Sequence, residues 1–258
     1  PSDLNFFTQI TMESAEDPEF LDAMREAGIK GALVGIEAVT PEGLKDVYKD
    51  FNLVGEELVE RLQAFRKHGV YILGSFIFGL PSDRPDTFAS TAELAKRADI
   101  SFAQFVTLTP FPGTLDFEQW EREQGDNMAL VDGIPVSRHW LIPQAKRPKL
   151  LTPHPVMSGE QIRQGTQNVW NDFYSLKASW KRSNILKSFK NRVAFVVASK
   201  VMLQAFGNTG LSTDSARASR ATKLGGLGFS LLQKMFAAPP MPGLPVPVAP
   251  VASKKPAA

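Results

Sequence analysis

The residues of this chain that could bind a polar ligand come directly after stretches of apolar sequence. Glu37 ends one such stretch, and its carboxylate could accept hydrogen bonds. Gly79 ends another, where a glycine would let a ligand approach the backbone closely. After a third stretch, Pro110 and Pro112 fix φ while Gly113 leaves it free, so the backbone polar groups of this turn point in set directions. Together they predict a binding site made by the ends of three chain segments.

The composition excludes several other kinds of chemistry within these 258 residues. There is no cysteine, which excludes disulfides, thiol nucleophiles and cysteine-bound metal. The histidines, His68, His139 and His154, do not form a pair with the spacing of metal ligands on one helix. We therefore expect no metal site built from this chain alone.

Hydrophobic residues follow two alternating periods in the first part of the chain, which predicts strands separated by helices. The predicted strands cover 6–12, 31–39, 70–78 and 101–108. The predicted helices begin at Asp17, Thr40, Glu56, Asp83 and Leu115. Nearly continuous apolar strands that alternate with helices are typical of parallel βα units, whose helices bury both faces of the sheet. Because the carboxyl ends of parallel strands meet at one edge, we expect the ligand-binding residues to lie close together there.

The rest of the chain predicts a different organisation. Residues 126–236 contain an irregular, proline-bearing segment and then helices, the first of them opened by a capping box at Ser158 and Gln161. Residues 237–258 are rich in proline, alanine and valine, which predicts disorder. We therefore divide the chain into an α/β part at 1–125, a helical extension at 126–236 and a tail.

Positive charge is concentrated in the extension. Residues 176–235 contain eleven bases and one acid, a balance of +10, and residues 1–175 carry −10. Apolar stripes run beside these bases, at Leu186, Phe189, Val193, Val196 and Val197, and at Leu224, Leu227, Leu231, Leu232 and Met235. Basic amphipathic helices suit an anionic membrane surface, although the same helices could instead pack on the α/β part. Nucleic acid is disfavoured as a partner, because no aromatic residues are interleaved with the bases.

Three segments together resemble a known family. They are GIEA at 35–38, GSFIFGLPSD at 74–83 and TPFPGT at 109–114. Their order and spacing are similar to strands four to six of the radical S-adenosylmethionine (SAM) enzymes, in the subgroup with an N-terminal cobalamin-binding domain. The resemblance covers about residues 3–125. It implies the C-terminal four βα units of a partial (β/α)6 barrel, followed by a mostly helical extension.

The resemblance implies roles for individual residues in binding SAM. Glu37 resembles the residue that binds the ribose hydroxyls. Ser75, Ile77 and Gly79 resemble a pattern that packs around the adenine, although Ser75 stands where the family has glycine and Ser82 where it has glutamate.

Two further segments would also lie at the ligand. Thr109, Pro110 and Gly113 match a stretch near adenine and substrate, and Gln9, Thr11 and Glu13 share the face of a strand that lines the substrate pocket. Each assignment has a structural alternative, such as a solvated strand-end carboxylate, a core side chain or a tight turn.

The family's other cofactors would be bound elsewhere. In these enzymes three cysteines hold a [4Fe–4S] cluster, SAM binds its fourth iron and gives a 5′-deoxyadenosyl radical, and methylcobalamin can supply a methyl group. This chain has no cysteine and begins at Pro1. The resemblance therefore implies that the cluster and cobalamin are bound mainly by regions outside this chain. On its own the chain should contain no catalytic residue and be inactive.

Longer stretches are most similar to hopanoid C-3 methylases, which act on a bacterial lipid. These are FFTQITMESAEDPEF at 6–20, IKGALVGIEAVTPEGLK at 29–45 and GSFIFGLPSDRPDTF at 74–88. The resemblance implies a methyltransferase of the cytoplasm that attaches peripherally to the inner membrane and takes a small lipid substrate. Two alternatives stay open: another reaction of the superfamily, such as tetrapyrrole oxidative cyclisation or a different C-methylation, and a non-catalytic module that binds a membrane surface or a partner.

Overall fold

The structure is a computed structural model that describes residues 5–52, 54–143, 146–148 and 150–207. The predicted second basic helix and the predicted disordered tail lie outside these residues. Within them, every helix is too short or too polar to cross a membrane.

Four parallel strands form the central sheet, in the order β1-β2-β3-β4. They are β1 (Phe6–Ile10), β2 (Ile29–Glu37), β3 (Tyr71–Phe78) and β4 (Phe102–Thr107). The predicted α/β class and parallel arrangement are confirmed, and the strands differ from their predicted bounds by a few residues at the ends. Closure into a barrel stays a prediction. A small antiparallel pair, β5 (Leu130–Val131) and β6 (Ile134–Pro135), occurs in the segment predicted to be irregular.

Helices connect the strands and form the extension. They are α1 (Pro18–Glu26), α2 (Pro41–Asp46), α3 (Gly55–Lys67), α4 (Pro85–Arg97), α5 (Leu115–Gln124), α6 (Gly159–Phe173), α7 (Leu176–Arg182) and α8 (Phe189–Ala205). The predicted start signals at Asp17, Thr40 and Ser158 are confirmed, whereas α4 begins at Pro85, two residues after the predicted start at Asp83. Asp17 accepts a hydrogen bond from the Phe20 amide at 2.9 Å, and Ser158 and Gln161 cap α6 reciprocally.

One face of the sheet carries the main hydrophobic core. Val34, Ile36, Phe76 and Phe78 are buried in one cluster with side chains of α1, α3, α4 and α6. The opposite face is only partly covered, and Phe7 on it is 61% exposed. The expectation that helices bury both faces is therefore wrong, because α1, α3, α4 and α6 join the same cluster.

Side chains at the C-terminal end of α6, from Trp170 and from the C-cap residue Tyr174, complete the outer edge of β4. The Tyr174 hydroxyl donates to the Ala103 carbonyl at 2.7 Å and accepts from the Ala103 amide at 2.9 Å. Trp170 Nε1 donates to the Phe105 carbonyl at 2.9 Å. These bonds satisfy backbone groups that a fifth strand would otherwise pair, so α6 is fixed beside the strand ends where the ligand site was predicted.

Candidate functional site

Glu37 lies at the end of β2 in an unusual conformation. Its φ is +67°, and the register of β2 against β3 shifts between Gly35 and Glu37. Lys49 Nζ donates to Glu37 Oε1 at 2.9 Å. A Cβ added at Gly35 would overlap the Glu37 carboxylate, so the glycine makes room for it. Left-handed backbone at a residue other than glycine costs about 1–3 kcal/mol and is common at functional sites.

A cavity of about 770 Å³ opens beside this carboxylate, at the carboxyl ends of β2, β3 and β4. One part of its lining is apolar and includes Ile77, Phe105, Val106, Leu108, Phe111, Leu151 and Trp170. The polar part includes Glu37, Asp46, Lys49, Gln104, Thr107, Thr109, Asp116, His139 and Arg147. Of the predicted ligand residues, the structure thus brings Glu37, Ile77 and Thr109 together in one cavity.

Ser75 contributes to the cavity indirectly. It is 8% exposed, and its hydroxyl accepts a hydrogen bond from Gln104 Nε2 at 2.9 Å. Gln104 lines the cavity and was missed by the sequence analysis. A polar residue in an otherwise apolar strand was the available signal, since β4 places Gln104 opposite Ser75.

Gly79 lies in a turn that is closed by other protein groups. Asp83 Oδ2 accepts from the amides of Gly79 at 2.8 Å and Leu80 at 3.1 Å. Burial raises the pKa of Asp83, and the two hydrogen bonds oppose the rise. Leu150 Cδ1 lies 3.0 Å from where a Cβ of residue 79 would be. Gly79 is outside the cavity lining, and its contact with adenine stays a prediction.

Ser82 and the last turn also lie mainly outside the lining. The Ser82 amide donates to Asp46 Oδ2 at 2.9 Å, while its buried hydroxyl has no partner among the described residues. Pro110 is buried, and Gly113, with φ +87°, has nothing within 4 Å of an added Cβ. The predicted roles of Ser82, Pro110 and Gly113 at the ligand stay predictions.

The predicted pocket residues of the first strand do not line the cavity. Gln9, Thr11 and Glu13 are exposed, and none belongs to the cavity lining. A hydrogen bond from Thr11 lowers the pKa of Glu13, with smaller contributions that include the charges of Arg61 and Lys49. Their contact with substrate stays a prediction.

The wall facing the strand ends comes from the extension. His139 and Arg147 belong to the segment predicted to be irregular, and Trp170 belongs to α6. The sequence analysis missed all three, because no spacing within the segment relates them to Glu37. Only the packing of the extension brings them to the cavity.

The cavity fits some of the implied cofactors better than others. The chain contains no cysteine, and the described residues include no group of three His, Asp or Glu that could hold a metal, so they do not fit a [4Fe–4S] cluster. A nucleoside fits better. Glu37 offers a carboxylate that could accept ribose hydroxyl hydrogen bonds, and Ile77 belongs to an apolar surface that could contact a base.

Comparison with known proteins shows similarity to methyltransferases. The chain is 30% identical over 157 residues to an uncharacterized methyltransferase of Pyrococcus horikoshii, which covers 59% of this chain and 30% of that protein. It is 34% identical over 112 residues to bacteriochlorophyllide d C-12(1)-methyltransferase of Chlorobaculum tepidum, covering 43% and 24%. It is 28% identical over 120 residues to hopanoid C-2 methylase of Rhodopseudomonas palustris, covering 46% and 23%.

The similarity is limited in extent. The chain matches less than a third of the length of each of these relatives. No family model matches it.

Proposed function

We propose that this chain is part of a cobalamin-dependent radical SAM methyltransferase and supplies one side of its SAM and acceptor cavity. The observation that carries the proposal is the cavity at the strand ends, with Glu37 beside it, in a chain similar to methyltransferases. SAM, the cluster and cobalamin would together supply hydrogen abstraction and the methyl group. The residues of this chain would bind, orient and exclude water.

Glu37 would bind the ribose of SAM. Lys49 occupies Oε1, and Oε2 has no hydrogen-bond partner within the described part of the chain, so it is available to ribose hydroxyls. The ion pair holds the carboxylate in place before the ligand arrives, which reduces the entropy lost on binding. Ile77 would contact the adenine. The cluster and cobalamin would be bound by regions outside this chain.

A hopanoid methylated at C-3 is the first acceptor we propose. The three long segments at 6–20, 29–45 and 74–88 resemble hopanoid C-3 methylases, and a hopanoid C-2 methylase is among the relatives. The apolar lining of the cavity, which includes Phe111 and Trp170, suits a polycyclic skeleton. A tetrapyrrole is the second candidate, because the identity to a bacteriochlorophyllide methyltransferase is higher, at 34%.

The test uses the intact protein, reconstituted without oxygen with iron, sulfide, cobalamin and SAM. We expect a methylated product from a hopanoid, with the new carbon at C-3, and cleavage of SAM during the reaction. Glu37→Gln should weaken SAM binding about tenfold, since it removes a charge-assisted hydrogen bond. Glu42→Gln, at an exposed position on α2, is the matched control and should bind SAM as the wild type does. An intact protein that never cleaves SAM contradicts the proposal. If only a tetrapyrrole is methylated, the proposed acceptor becomes the tetrapyrrole.

We also propose that the exposed apolar and basic residues of α7 and α8, called here the α7–α8 surface, bind the cytoplasmic face of an anionic membrane. Leu176, Trp180, Phe189 and Val193 are 65%, 40%, 71% and 37% exposed, and the rings of Trp180 and Phe189 are in contact at 6.0 Å. Exposed bases surround them, namely Lys177, Lys181, Lys187 and Lys190. Each base near an anionic leaflet contributes about 1 kcal/mol.

The opposite side of α8 packs inward, which supports this orientation. Ala194, Phe195 and Ser199 are buried, and Phe195 contacts Phe102 of β4 at 5.1 Å. Of the predicted stripe, Phe189 and Val193 are exposed while Val196 and Val197 are partly buried. Packing on the α/β part and membrane contact therefore use different sides of one helix.

Flotation of the full chain with liposomes tests the surface. We expect binding to vesicles of phosphatidylglycerol and phosphatidylcholine, and little binding to phosphatidylcholine alone. Lys187→Gln with Lys190→Gln should lower the vesicle partition coefficient about thirtyfold, since about 2 kcal/mol is lost. Lys30→Gln with Lys146→Gln removes the same charge elsewhere and should have no effect. Equal flotation of both double variants contradicts the proposal. Flotation by an intact protein that lacks SAM chemistry favours the non-catalytic alternative.

A further inference from the structure

Arg147 is held against the cavity by backbone groups and not by an acid. Its Nε donates to the Ile142 carbonyl at 2.8 Å, and its Nη2 donates to the Trp140 carbonyl at 3.0 Å. A guanidinium has five N–H donors, so three remain without a partner among the described residues. No carboxylate of those residues lies within 4.0 Å of this guanidinium, yet Arg147 lines the cavity. The side chain is thus oriented and its charge is unpaired.

His139 lies on the same wall of the cavity, and a nitrogen of its ring also has unused hydrogen-bonding capacity. Its Nδ1 is buried without a hydrogen-bond partner in the described part of the chain. Its ring contacts Trp140 edge-on, with the ring centroids 5.3 Å apart. Burial lowers the pKa of His139, and the charge of Arg147 lowers it further. The imidazole is therefore neutral near pH 7 and has one donor and one acceptor nitrogen.

The other charged side chains of the cavity lining form no ion pair with Arg147 and no hydrogen bond with His139 among the described contacts. Glu37 is paired with Lys49, and Asp46 accepts from the Ser82 amide. Asp116 lies in the first turn of α5, where the helix dipole favours its charge, and it forms no ion pair with Arg147. Arg147 therefore has no ion-pair partner among the described residues, although the carboxylates of Asp46 and Asp116 lie elsewhere in the same lining.

We infer that His139 and Arg147 bind a carboxylate on the ligand of this cavity, and that this ligand is the methyl acceptor. Nη1 of the guanidinium and the remaining N–H of Nη2 can donate to the two oxygens of a carboxylate, and His139 could donate a further hydrogen bond. One guanidinium and a neutral imidazole balance a monoanion but not a phosphate dianion. The apolar lining opposite suits the rest of the molecule.

The statement that the ligand is the methyl acceptor rests on the proposed function. The statement that His139 and Arg147 bind a carboxylate does not. The inference favours the tetrapyrrole candidate over a hydrocarbon acceptor without an acid group. An acceptor without an acid would leave Arg147 unpaired when water is excluded from the cavity, which is costly for a charged group.

The test measures binding of matched probes to the 258-residue chain by calorimetry. Cholate is a polycyclic carboxylate, and cholamide is the same skeleton with a neutral amide. We expect cholate to bind more tightly than cholamide, and Arg147→Gln to weaken cholate binding about tenfold to a hundredfold. Arg122→Gln is the matched control, an exposed arginine of α5 outside the cavity lining, and should bind cholate as the wild type does.

A second measurement does not depend on the stability of the arginine variant. The pKa of His139, followed by NMR, should rise when cholate binds, because a carboxylate beside the ring favours its charged form. Cholamide should leave it unchanged. Equal binding of cholate and cholamide, or equal weakening by Arg122→Gln, overturns the carboxylate site.

Methionine is the third probe and separates the two sources of a carboxylate. If methionine displaces cholate from the wild type, and Arg147→Gln weakens both, the site belongs to the amino-acid part of SAM and the acceptor assignment fails. If methionine does not compete, the acceptor assignment is supported. Failure of SAM cleavage by the intact protein would leave each of these binding results unchanged, so the two proposals fail separately.

Discussion

The ends of β2 and β3 are neighbours in the sheet, and their motifs predicted the same kind of site, yet the two are built differently. After β2, the Glu37 carboxylate borders a cavity and forms one ion pair, with Lys49. After β3, the turn at Gly79 is saturated by Asp83, and the Leu80 carbonyl accepts from His154 Nε2 at 2.9 Å. The first end keeps a polar group available to a ligand, whereas at the second end the protein satisfies the amides of Gly79 and Leu80 and the Leu80 carbonyl.

The difference shows that a glycine in a strand-end motif can serve packing as well as ligand binding. Gly79 has φ +89°, which favours glycine, and a Cβ there would meet Leu150. At Gly35 the missing Cβ makes room for a carboxylate beside the cavity. The neighbouring atoms, and not the motif, distinguish these two uses.

Removing the Asp83 carboxylate should have the largest effect on stability. Asp83→Ala leaves the buried amides of Gly79 and Leu80 without an acceptor, and we expect a loss of about 3 kcal/mol in the free energy of unfolding. Urea denaturation measures it. Asp83→Asn keeps an acceptor oxygen and should lose less than about 1 kcal/mol. If both variants lose the same amount, the hydrogen bonds do not stabilise the turn.

Removing the His154 side chain should have the second-largest effect on stability. Its Nδ1 accepts from the amides of Val156 and Met157, so its Nε2 must carry the proton donated to Leu80. His154→Ala removes all three bonds and should cost about 2 kcal/mol. His68→Ala removes an exposed contact with Asp22 and should cost less than about 0.5 kcal/mol by the same denaturation assay. A small effect at His154 would show that the turn does not depend on the extension.

Glu37 should contribute far less to stability than Asp83. Glu37→Gly relieves the positive φ, loses a partly buried ion pair and adds freedom to the unfolded chain, so we expect a net change within about 1 kcal/mol. Binding of 5′-deoxyadenosine to the same variant should nevertheless weaken. Gly35→Ala should weaken it too, because the new Cβ displaces the carboxylate. A loss of stability as large as that of Asp83→Ala would remove the contrast between the two strand ends.

The pH dependence of stability should show the smallest effect. Because burial raises the pKa of Asp83 above 3.8, the folded state holds this proton more tightly than the unfolded state. Stability from this residue is therefore fully present below about pH 4 and falls as pH rises through the raised pKa. Asp83→Asn should flatten this part of a thermal unfolding profile. A profile that Asp83→Asn leaves unchanged would show that burial does not shift this carboxyl.

Much of the α/β part was predictable because its signals are local. The apolar runs that form β2 and β3 and the caps at Asp17 and Ser158 act over a few residues. The positive φ of Glu37 was not predictable, since it depends on a register shift against β3.

The amino-acid sequence by itself determined the four strands, their order along the chain, most helix starts and the position of Glu37 at a strand end. Tertiary structure alone decided that Leu150 covers Gly79, that Gln104 reaches the cavity, and that His139 and Arg147 form its far wall. The physical reason is the separation along the chain over which each interaction acts. Periodicity and capping act between neighbours in the chain, whereas His154 meets Leu80 across 74 residues, and only packing of the extension against the sheet specifies such a contact.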